Sequence, residues 1–371
     1  MGKMHHLRSL IVSFGLFLFM GNAHAHCEID KQILQSGFIL YYQDARNEYH
    51  LQLSNIVALN NVVHLVCGSQ PILTLTCRFD SRRNTYRFDN SYSSRTCNAN
   101  QLTVVPGNPV ARGACTMHHI GFNFNPNNRF QTKFLQLYRS CYNGNWKTPQ
   151  FTIHDIIHNS ETATRNNNFS PDGLTPAQFA AFSCRGVFNA FERELGAGQP
   201  YVTSNQCSLQ RGHLVPNNDF SFHMLQKATF KTMNYVAQSQ NRNQGSWKIV
   251  ENWARSLAAQ NPTTILRVCT GTLDVLQLPS TRNVMTQVFL WRDTAPRIPI
   301  PRWMYKIVDH KYVFLTYNNQ FATSSPNPQN FNICNQVRCP SGLNLGNRPF
   351  TFCCDHTHFI SQVVPYLTGL C

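Results

Sequence analysis

One short segment concentrates residue types that could move protons and bind phosphate. It reads Gln210-Arg211-Gly212-His213-Leu214-Val215-Pro216. A histidine titrates near neutral pH, so His213 could act as a general base. The guanidinium of Arg211 could bind phosphate oxygens through paired N–H donors. Taken alone, Arg-Gly-His-x-x-Pro is moderately specific, and the alternative is a turn with an incidental histidine.

Downstream of this segment, an amide, a carboxylate and a guanidinium recur at helical spacing, in Asn243, Glu251 and Arg255. If residues 243–260 form a helix, these three and Trp247 lie on one stripe, because residues four apart share a helix face. Trp247 is expected to pack in the core. The stripe suits a metal site with one amide oxygen as ligand. A neighbouring apolar stripe would anchor the helix: Ile249, Val250, Trp253 and Leu257.

These residues resemble the DNA/RNA non-specific endonuclease family, whose ββα-metal site carries an Asp-Arg-Gly-His motif and a downstream Asn-x-x-x-Trp-x-x-x-Glu helix. The resemblance covers residues 160–320. The cysteine-rich N-terminal part and the Cys353-Cys354 pair are similar to the arthropod branch of secreted double-strand-cutting and duplex-specific nucleases. The matching positions are Arg211, Gly212, His213, Pro216, Thr229, Phe230, Asn234, Gln238, Asn243, Trp247, Glu251 and Arg255.

The resemblance implies a role for each site residue. His213 would take a proton from water, and Glu251 would orient water at the metal. Mg²⁺, or Mn²⁺, would be held by Asn243 and waters, and Arg255 and Arg211 would contact phosphate. Water as the nucleophile makes no use of the ribose 2′-hydroxyl, so both RNA and DNA are expected substrates. Products with 5′-phosphate ends follow from the resemblance.

Three further residues are predicted to bind substrate, namely Asn234, Gln238 and an arginine upstream of the motif. For that arginine, Arg165 is the first choice and Arg185 the second. One position departs from the family, because its leading aspartate is Gln210 here. An amide can still form a hydrogen bond, but it brings no negative charge to the outer shell of the metal. Weaker metal affinity or a shifted pH optimum is therefore expected.

Composition and targeting signals point to secretion and to an anionic partner. Residues 1–25 have the basic start, short apolar run and small-x-small end of a signal peptide, which predicts an extracellular protein without a membrane partner. The formal net charge is +15 at pH 7. Such a field attracts polyanions, although a merely cationic protein remains the alternative. The 14 cysteines indicate disulfides, with zinc binding as the rival use.

The pattern of apolar residues predicts an α+β fold, in which a small disulfide-rich β domain precedes a ββα-metal nuclease core of antiparallel sheet flanked by helices. The expected division is a signal peptide over 1–25, a cysteine-containing β-rich domain over 26–150, and the nuclease domain over 151–371. Residues 157–174 are expected to form a loop, and this loop holds the glycosylation sequon at Asn168. Helices are predicted over 175–195, 223–240 and 246–260, and strands over 38–42, 62–66, 72–76, 102–105, 264–269, 284–291, 303–308 and 312–316.

Two functional hypotheses result. The first is a secreted, Mg²⁺-dependent endonuclease that hydrolyses phosphodiester bonds of double-stranded RNA, double-stranded DNA or both. The second is a secreted, basic nucleic-acid-binding protein that keeps the nuclease fold with little turnover. The sequence leaves the preferred nucleic acid, the disulfide pairing and the oligomeric state open.

Overall fold

The computed structural model describes residues 25–90, 96–110, 114–126, 132–164, 168–260, 264–293, 295–345 and 350–371. Residues 1–24 of the expected signal peptide lie outside this part, and so does Arg165. Among the described residues, no helix is both long enough and apolar enough to cross a membrane.

Strands supply most of the regular structure. Before residue 90 they are β1 (His26–Glu28), β2 (Ile39–Gln43), β3 (Tyr49–Leu51), β4 (Ile56–Ala58), β5 (Val62–Cys67), β6 (Gln70–Asp80) and β7 (Thr85–Phe88). The next are β8 (Leu102–Val110), β9 (Cys115–Phe124), β10 (Lys133–Asn143) and β11 (Thr148–Ile156). Then follow β12 (Leu209–His213), β13 (Tyr235–Ser239), β14 (Leu266–Val275), β15 (Gln277–Pro279), β16 (Met285–Gln287), β17 (Phe289–Arg292), β18 (Arg297–Pro299), β19 (Pro301–Val308), β20 (Tyr312–Tyr317) and β21 (Thr351–Cys354).

Helices are fewer among the described residues. They are α1 (Lys31–Gln35), α2 (Pro176–Ala180), α3 (Cys184–Leu195), α4 (His223–Ala228), α5 (Gln240–Arg242), α6 (Lys248–Gln260) and α7 (His356–His358). One turn of π-helix (Asn243–Trp247) joins α5 to α6, and another (Phe359–Val363) follows α7. Short 3-10 turns occur at Asn217–Asp219, Thr232–Asn234, Pro328–Phe331 and Pro365–Leu367. The mixture confirms the predicted α+β class.

Eight of the described strands form one antiparallel sheet in the order β21-β20-β19-β14-β11-β10-β9-β8. Because successive side chains in a strand point to opposite faces, this sheet has two distinct surfaces. On one surface, Val308 and Val268 of paired strands pack against Val250 and Ala254 of α6. The other surface packs against the C-terminal segment, which is tied to β14 by the Cys269–Cys371 disulfide. The helix α6 thus has a rigid base.

A second sheet, of order β3-β2-β5-β6-β7, precedes the main one. Its buried side chains share a core with the main sheet, where Leu65 and Leu75 lie in one cluster with Phe122 and Val215. All 14 cysteines are paired, which confirms the disulfides and excludes zinc binding by these thiols. No bridge crosses residue 150, as the pairs are Cys27–Cys77, Cys67–Cys97, Cys115–Cys141, Cys184–Cys207, Cys269–Cys371, Cys334–Cys354 and Cys339–Cys353.

The boundary predicted at residue 150 needs correction. β11 spans that residue and is hydrogen-bonded to β10 on one side and to β14 on the other. The separate sheet ends with β7 at Phe88, and the main sheet starts with β8 at Leu102. Composition could not show this, because strands on both sides of residue 150 have similar patterns of apolar residues. Only their pairing assigns them to one sheet.

Two predicted helices differ from the structure. The helix expected over 223–240 ends at Ala228, and Tyr235–Ser239 form strand β13. Pairing with β12 decides this segment, because sheet pairing overrides the weak helical propensity of single residues. The helix expected over 175–195 is two helices, because Ser183 starts α3 with a side-chain cap on the Gly186 N–H at 3.0 Å.

Candidate active site

A cleft of about 800 Å³ lies where β12, the loop after it, the π-helical turn and α6 meet. Five sequence-predicted site residues line it together: Arg211, His213, Asn243, Glu251 and Arg255. The cleft also has contributions that the sequence did not single out, among them Phe169, Phe182, Asn217, Asn218, Gln244 and Lys248. Lys248 is exposed and adds a further positive charge.

His213 is the last residue of β12 and lies opposite Tyr235 of β13. Its ring is packed beside Phe169, with centroids 5.1 Å apart, and edge-on to Phe230 at 4.7 Å. The side chain is half-buried and lines the cleft. The two aromatic rings therefore restrict the orientation of the imidazole without removing it from the cleft.

Gln210 and Asn243 are linked across the cleft. The Asn243 amide Nδ2 donates a hydrogen bond to Gln210 Oε1 at 3.0 Å. Since an amide carries its donor and its acceptor on different atoms, this bond leaves Asn243 Oδ1 as the atom available to a cation. The position at which the chain departs from the family motif thus orients the predicted metal ligand.

Asn243 does not lie in a regular helix, which corrects the expectation for residues 243–260. The segment Asn243–Trp247 is a π-helical turn, and Gly245 within it has non-helical angles of φ −103° and ψ −115°. Regular α-helix begins at Lys248. The turn still brings Asn243 and Glu251 into one cleft, while Trp247 is fully buried, in keeping with its expected packing role.

Asn234 is not brought to the cleft. Its side chain is completely buried, where Oδ1 accepts from the Val215 N–H at 2.8 Å. Its Nδ2 donates to the carbonyl oxygens of Val215 and Thr229 at 2.9 and 2.8 Å. Asn234 therefore holds the loop that follows His213 from a position outside the lining of the cleft.

Gln238 is likewise buried and does not line the cleft. It lies opposite Gln210 in the β12–β13 ladder and packs over Gly212. A Cβ added at Gly212 would lie 2.1 Å from Gln238 Oε1, so only glycine fits beside this glutamine. The Arg-Gly-His motif needs its central glycine for this close approach.

Ionisation of Glu251 is opposed by its burial. Burial raises the pKa of its carboxyl to about 7, although the charges of Lys306 and Arg255 oppose the shift. A cation bound in the cleft would favour the ionised form. This carboxyl is therefore the group in the cleft that would gain most from a nearby metal ion.

Beneath the cleft, Asp219 joins two partners. Its Oδ1 accepts from Arg255 Nη1 at 2.7 Å, and its Oδ2 accepts from His154 Nε2 at 2.9 Å. Burial would raise the pKa of Asp219, but the His154 hydrogen bond and the charge of Arg255 hold it below its ordinary value. Burial lowers the pKa of His154, so the imidazole is neutral and donates. Arg255 is thus fixed from below while it lines the cleft.

Lys306, like Asp219, is a buried charged group that the sequence pattern did not single out. It is 1% exposed, donates from Nζ to Thr270 Oγ1 at 2.7 Å, and lies 5.1 Å from the centre of the Trp247 ring. Burial lowers its pKa, against the attraction of Glu251 and Asp219. The available signal was a lysine inside an apolar strand, because lysine is rarely buried without partners. For Asp219, its place six residues after His213 was the signal.

Arg211 lies in an aromatic cage. Its guanidinium carbon is 4.1 Å from the centre of the Phe179 ring, 5.3 Å from that of Phe182 and 5.5 Å from that of Phe169. One Nη also donates to the Phe179 carbonyl oxygen at 2.9 Å. These contacts hold a positive charge at one wall of the cleft. Burial lowers the pKa of this guanidinium, which stays charged at neutral pH.

The other predicted residues lie elsewhere. Arg165, the first choice for the upstream arginine, is outside the described residues. Arg185 is exposed on α3, 5.4 Å from the Phe188 ring, and does not line the cleft. Asn168 of the sequon is exposed and immediately precedes Phe169, which lines the cleft. A glycan at Asn168 would stand next to the cleft.

The residues present fit a hard divalent cation. Such ions prefer oxygen ligands, and the cleft offers Asn243 Oδ1 together with the Glu251 carboxylate. A separate group of Asp44, Glu48 and His50 could also hold an ion by proximity. There, however, Asp44 already accepts from the Arg46 and Glu48 N–H groups and from His50, which is what a tight hairpin turn requires.

The buried position of Asn234 leads to a stability prediction. We expect Asn234→Ala to lower the free energy of unfolding by about 2–4 kcal/mol, because buried backbone groups of Val215 and Thr229 would lose their partners. KM of the folded fraction should stay unchanged. Urea denaturation and steady-state kinetics measure both. Asn218→Ala, at an exposed residue nearby, is the control for stability. An Asn234→Ala variant that is as stable as the parent but has a raised KM would support the predicted contact between Asn234 and substrate.

The raised pKa of Glu251 leads to a pH-dependent prediction. The folded state keeps this proton up to about pH 7, whereas a free glutamate loses it near pH 4.5. The Glu251 carboxyl therefore lowers the free energy of unfolding as pH rises from about 4.5 to 7, and the loss persists above pH 7. Glu251→Gln should therefore be more stable than the parent by roughly 2 kcal/mol at pH 8 and equally stable at pH 4.5. Urea unfolding in metal-free buffer checks this, with Glu48→Gln as control. Equal stability at both pH values would contradict it.

Several known proteins are similar to this chain. Residues 116–354 match the model of the family described as DNA/RNA non-specific endonuclease. A salivary endonuclease of Lutzomyia longipalpis is 26% identical over 291 residues, which cover 73% of this chain and 66% of that protein. A salivary endonuclease of Culex quinquefasciatus is 26% identical over 183 residues, covering 47% and 45% of the two chains. The matched regions thus span just under two thirds and under half of these relatives.

A chain in the crystal structure of the EndoG/EndoGI complex is 17% identical, with a TM-score of 0.31, and the likeness covers 52% of this chain and 79% of that one. Membership of the family rests on the sequence match and not on this likeness. Both salivary relatives are insect proteins, and at 26% identity the narrower arthropod placement stays a prediction. Because the family match extends over more than half of the chain, the protein belongs to the DNA/RNA non-specific endonuclease family.

Proposed function

We propose that this protein is a secreted, metal-dependent endonuclease that hydrolyses phosphodiester bonds of double-stranded RNA and DNA, with His213 as its general base. The observation that carries the proposal is one cleft in which His213 lies with Asn243, Glu251 and two arginines. A base, a cation site and phosphate-binding charges are the groups that phosphodiester hydrolysis by water requires.

His213 takes the proton from the attacking water, since a neutral imidazole is a competent base near pH 7. The rings of Phe169 and Phe230 keep the imidazole in one orientation. Arg255, fixed by Asp219, and Arg211, fixed by its aromatic cage, hold the phosphate oxygens as charge develops on them. The ribose or deoxyribose 3′ oxygen leaves, so the products carry 5′-phosphate and 3′-hydroxyl ends.

Mg²⁺, or Mn²⁺, would be held by Asn243 Oδ1 and waters, with Glu251 beside it, and would supply positive charge for the phosphate and the leaving oxygen. Gln210 supports this by fixing the Asn243 amide. The raised pKa of Glu251 supports it as well, because an unneutralised carboxyl marks the place where a cation is favourable.

Substrate breadth and secretion are part of the proposal. Backbone contacts carry no base code, so arginines that hold phosphate accept any sequence. The seven disulfides favour an oxidising compartment. The names of the relatives, salivary endonucleases, agree with secretion. We further propose that Asn168 carries an N-linked glycan.

A binding protein without turnover is the second candidate, and Gln210 in place of the family aspartate is the observation that favours it. The loss of a negative charge beside Asn243 would weaken metal binding. The hydrogen bond from Asn243 to Gln210 argues for retained function, because the ligand stays oriented.

The direct test compares cleavage of matched double-stranded RNA, double-stranded DNA and single strands by the purified protein. We expect cutting with Mg²⁺, none with EDTA, and at least a 100-fold loss of kcat in His213→Asn, because asparagine cannot accept the proton. His310→Asn is the matched control, since His310 is exposed and its φ of 52° suits asparagine. Retention of nucleic acid without cutting would establish the binding protein instead.

A second test concerns Gln210. We expect Gln210→Ala to raise the Mg²⁺ concentration for half-maximal activity by roughly three- to tenfold, because the lost hydrogen bond frees the Asn243 amide to rotate. Gln210→Glu keeps an acceptor oxygen and adds charge, so its metal requirement should not exceed that of the parent. Mn²⁺ binding followed by electron paramagnetic resonance gives a readout independent of activity. Gln260→Ala, on the exposed end of α6, is the control; equal metal binding in all variants would refute the role of Gln210.

A further inference from the structure

The β6–β7 hairpin lies outside the region that matches the family, which starts at residue 116. β7 is the edge strand of the N-terminal sheet, and the turn between the strands spans residues 81–84. Cys77, which pairs with Phe88 at the base of the hairpin, is bonded to Cys27. The hairpin is thus a firmly anchored projection that the proposed reaction does not use.

Two aromatic side chains near the turn are exposed to solvent. Phe79 is 48% exposed and Tyr86 is 40% exposed, and the two residues are direct partners in the strand ladder. Their ring centroids are 5.3 Å apart. Neighbouring exposed rings are unfavourable in water unless something covers them. The two ring planes are inclined by 51°, so together they form a non-planar apolar platform, and a base can stack on one ring at a time.

The hairpin that carries this platform also carries four arginines. Arg78 pairs with Asp89 and Arg87 pairs with Asp80, so these two charges are offset. Arg82 and Arg83 occupy the turn itself, are exposed, and form no ion pair with any residue in the described part of the chain. Two guanidinium groups without an ion-pair partner in the described residues therefore lie in the turn that joins the two strands carrying the exposed rings.

We propose that the β6–β7 hairpin is a second nucleic-acid contact, which binds single strands by stacking an unpaired base on Phe79 and Tyr86 and by pairing Arg82 and Arg83 with phosphates. Stacking platforms combined with basic groups are the general means of binding single strands without sequence preference. The proposal extends the proposed function, since the hairpin would hold an unpaired end of a duplex substrate or a single strand released from it, but it rests on different residues.

The chemistry favours nucleic acid over an anionic membrane. All four basic groups are arginines, whose planar forks match phosphate and stack on bases. The residues at the end of the hairpin, Ser81-Arg82-Arg83-Asn84, are polar, so the hairpin offers no apolar tip to insert into lipid. The platform lies behind this polar turn, within reach of a strand that lies across it.

The experiment measures binding of a labelled oligo-dT of about 16 nucleotides to the full chain carrying His213→Asn, in EDTA, by fluorescence anisotropy. Phe79→Ala with Tyr86→Ala should weaken binding about tenfold with little change in salt dependence. Arg82→Ala with Arg83→Ala should lower the slope of log K against log salt by about 1.4, since each phosphate contact to a single strand contributes about 0.7.

The matched control is Arg282→Ala with Lys311→Ala, which removes the same charge from two exposed turns elsewhere. Equal losses in the control and in the arginine pair would show a general charge effect and overturn the proposal. Unchanged oligonucleotide binding in the Phe79→Ala, Tyr86→Ala variant would also overturn the proposal. So would a result in which either double variant of the hairpin loses binding to phosphatidylserine vesicles while its oligonucleotide binding stays intact. Because binding is measured without metal or turnover, failure here is distinct from failure of the cleavage test.

Discussion

The charges buried beneath the cleft constrain the rest of this structure. Asp219 accepts hydrogen bonds from Arg255 and His154, and Lys306 lies within the field of Asp219 and Glu251. Each of these groups alone would be costly to bury, because removing a charge from water is unfavourable without partners. The main sheet, the loop after His213 and α6 must therefore keep their relative positions, since each contributes at least one of these buried groups.

The N-terminal unit contributes to the same arrangement. Asn55 is fully buried, donates to Ser160 Oγ at 2.7 Å, and its own N–H donates to Ser221 Oγ at 3.1 Å. Ser221 follows Asp219 by two residues, so this contact supports the loop that carries the buried carboxylate. If the N-terminal region only shielded the cleft, these hydrogen bonds to the loop beneath the cleft would not be needed.

Two family positions support the site without lining it. Asn234 fixes the backbone after His213, and Gln238 fills the space left by Gly212. Gln210 orients Asn243, so a residue outside the family pattern takes over a positioning task through a hydrogen bond. Reactive groups placed on packed strands and helices are held more precisely than groups on free loops.

The sequence identified five of the residues that line the cleft, because motif chemistry and spacing depend on residue types: His213, Asn243, Glu251, Arg211 and Arg255. It also determined the α+β class and the use of all 14 cysteines in disulfides. The tertiary structure decided the rest. Strand pairing turned Tyr235–Ser239 from an expected helix into β13 and moved the domain boundary away from residue 150. Burial decided that Asn234 and Gln238 do not line the cleft, and brought Lys306 and His154 beneath it. Such contacts join residues distant in the chain, and no local pattern records them.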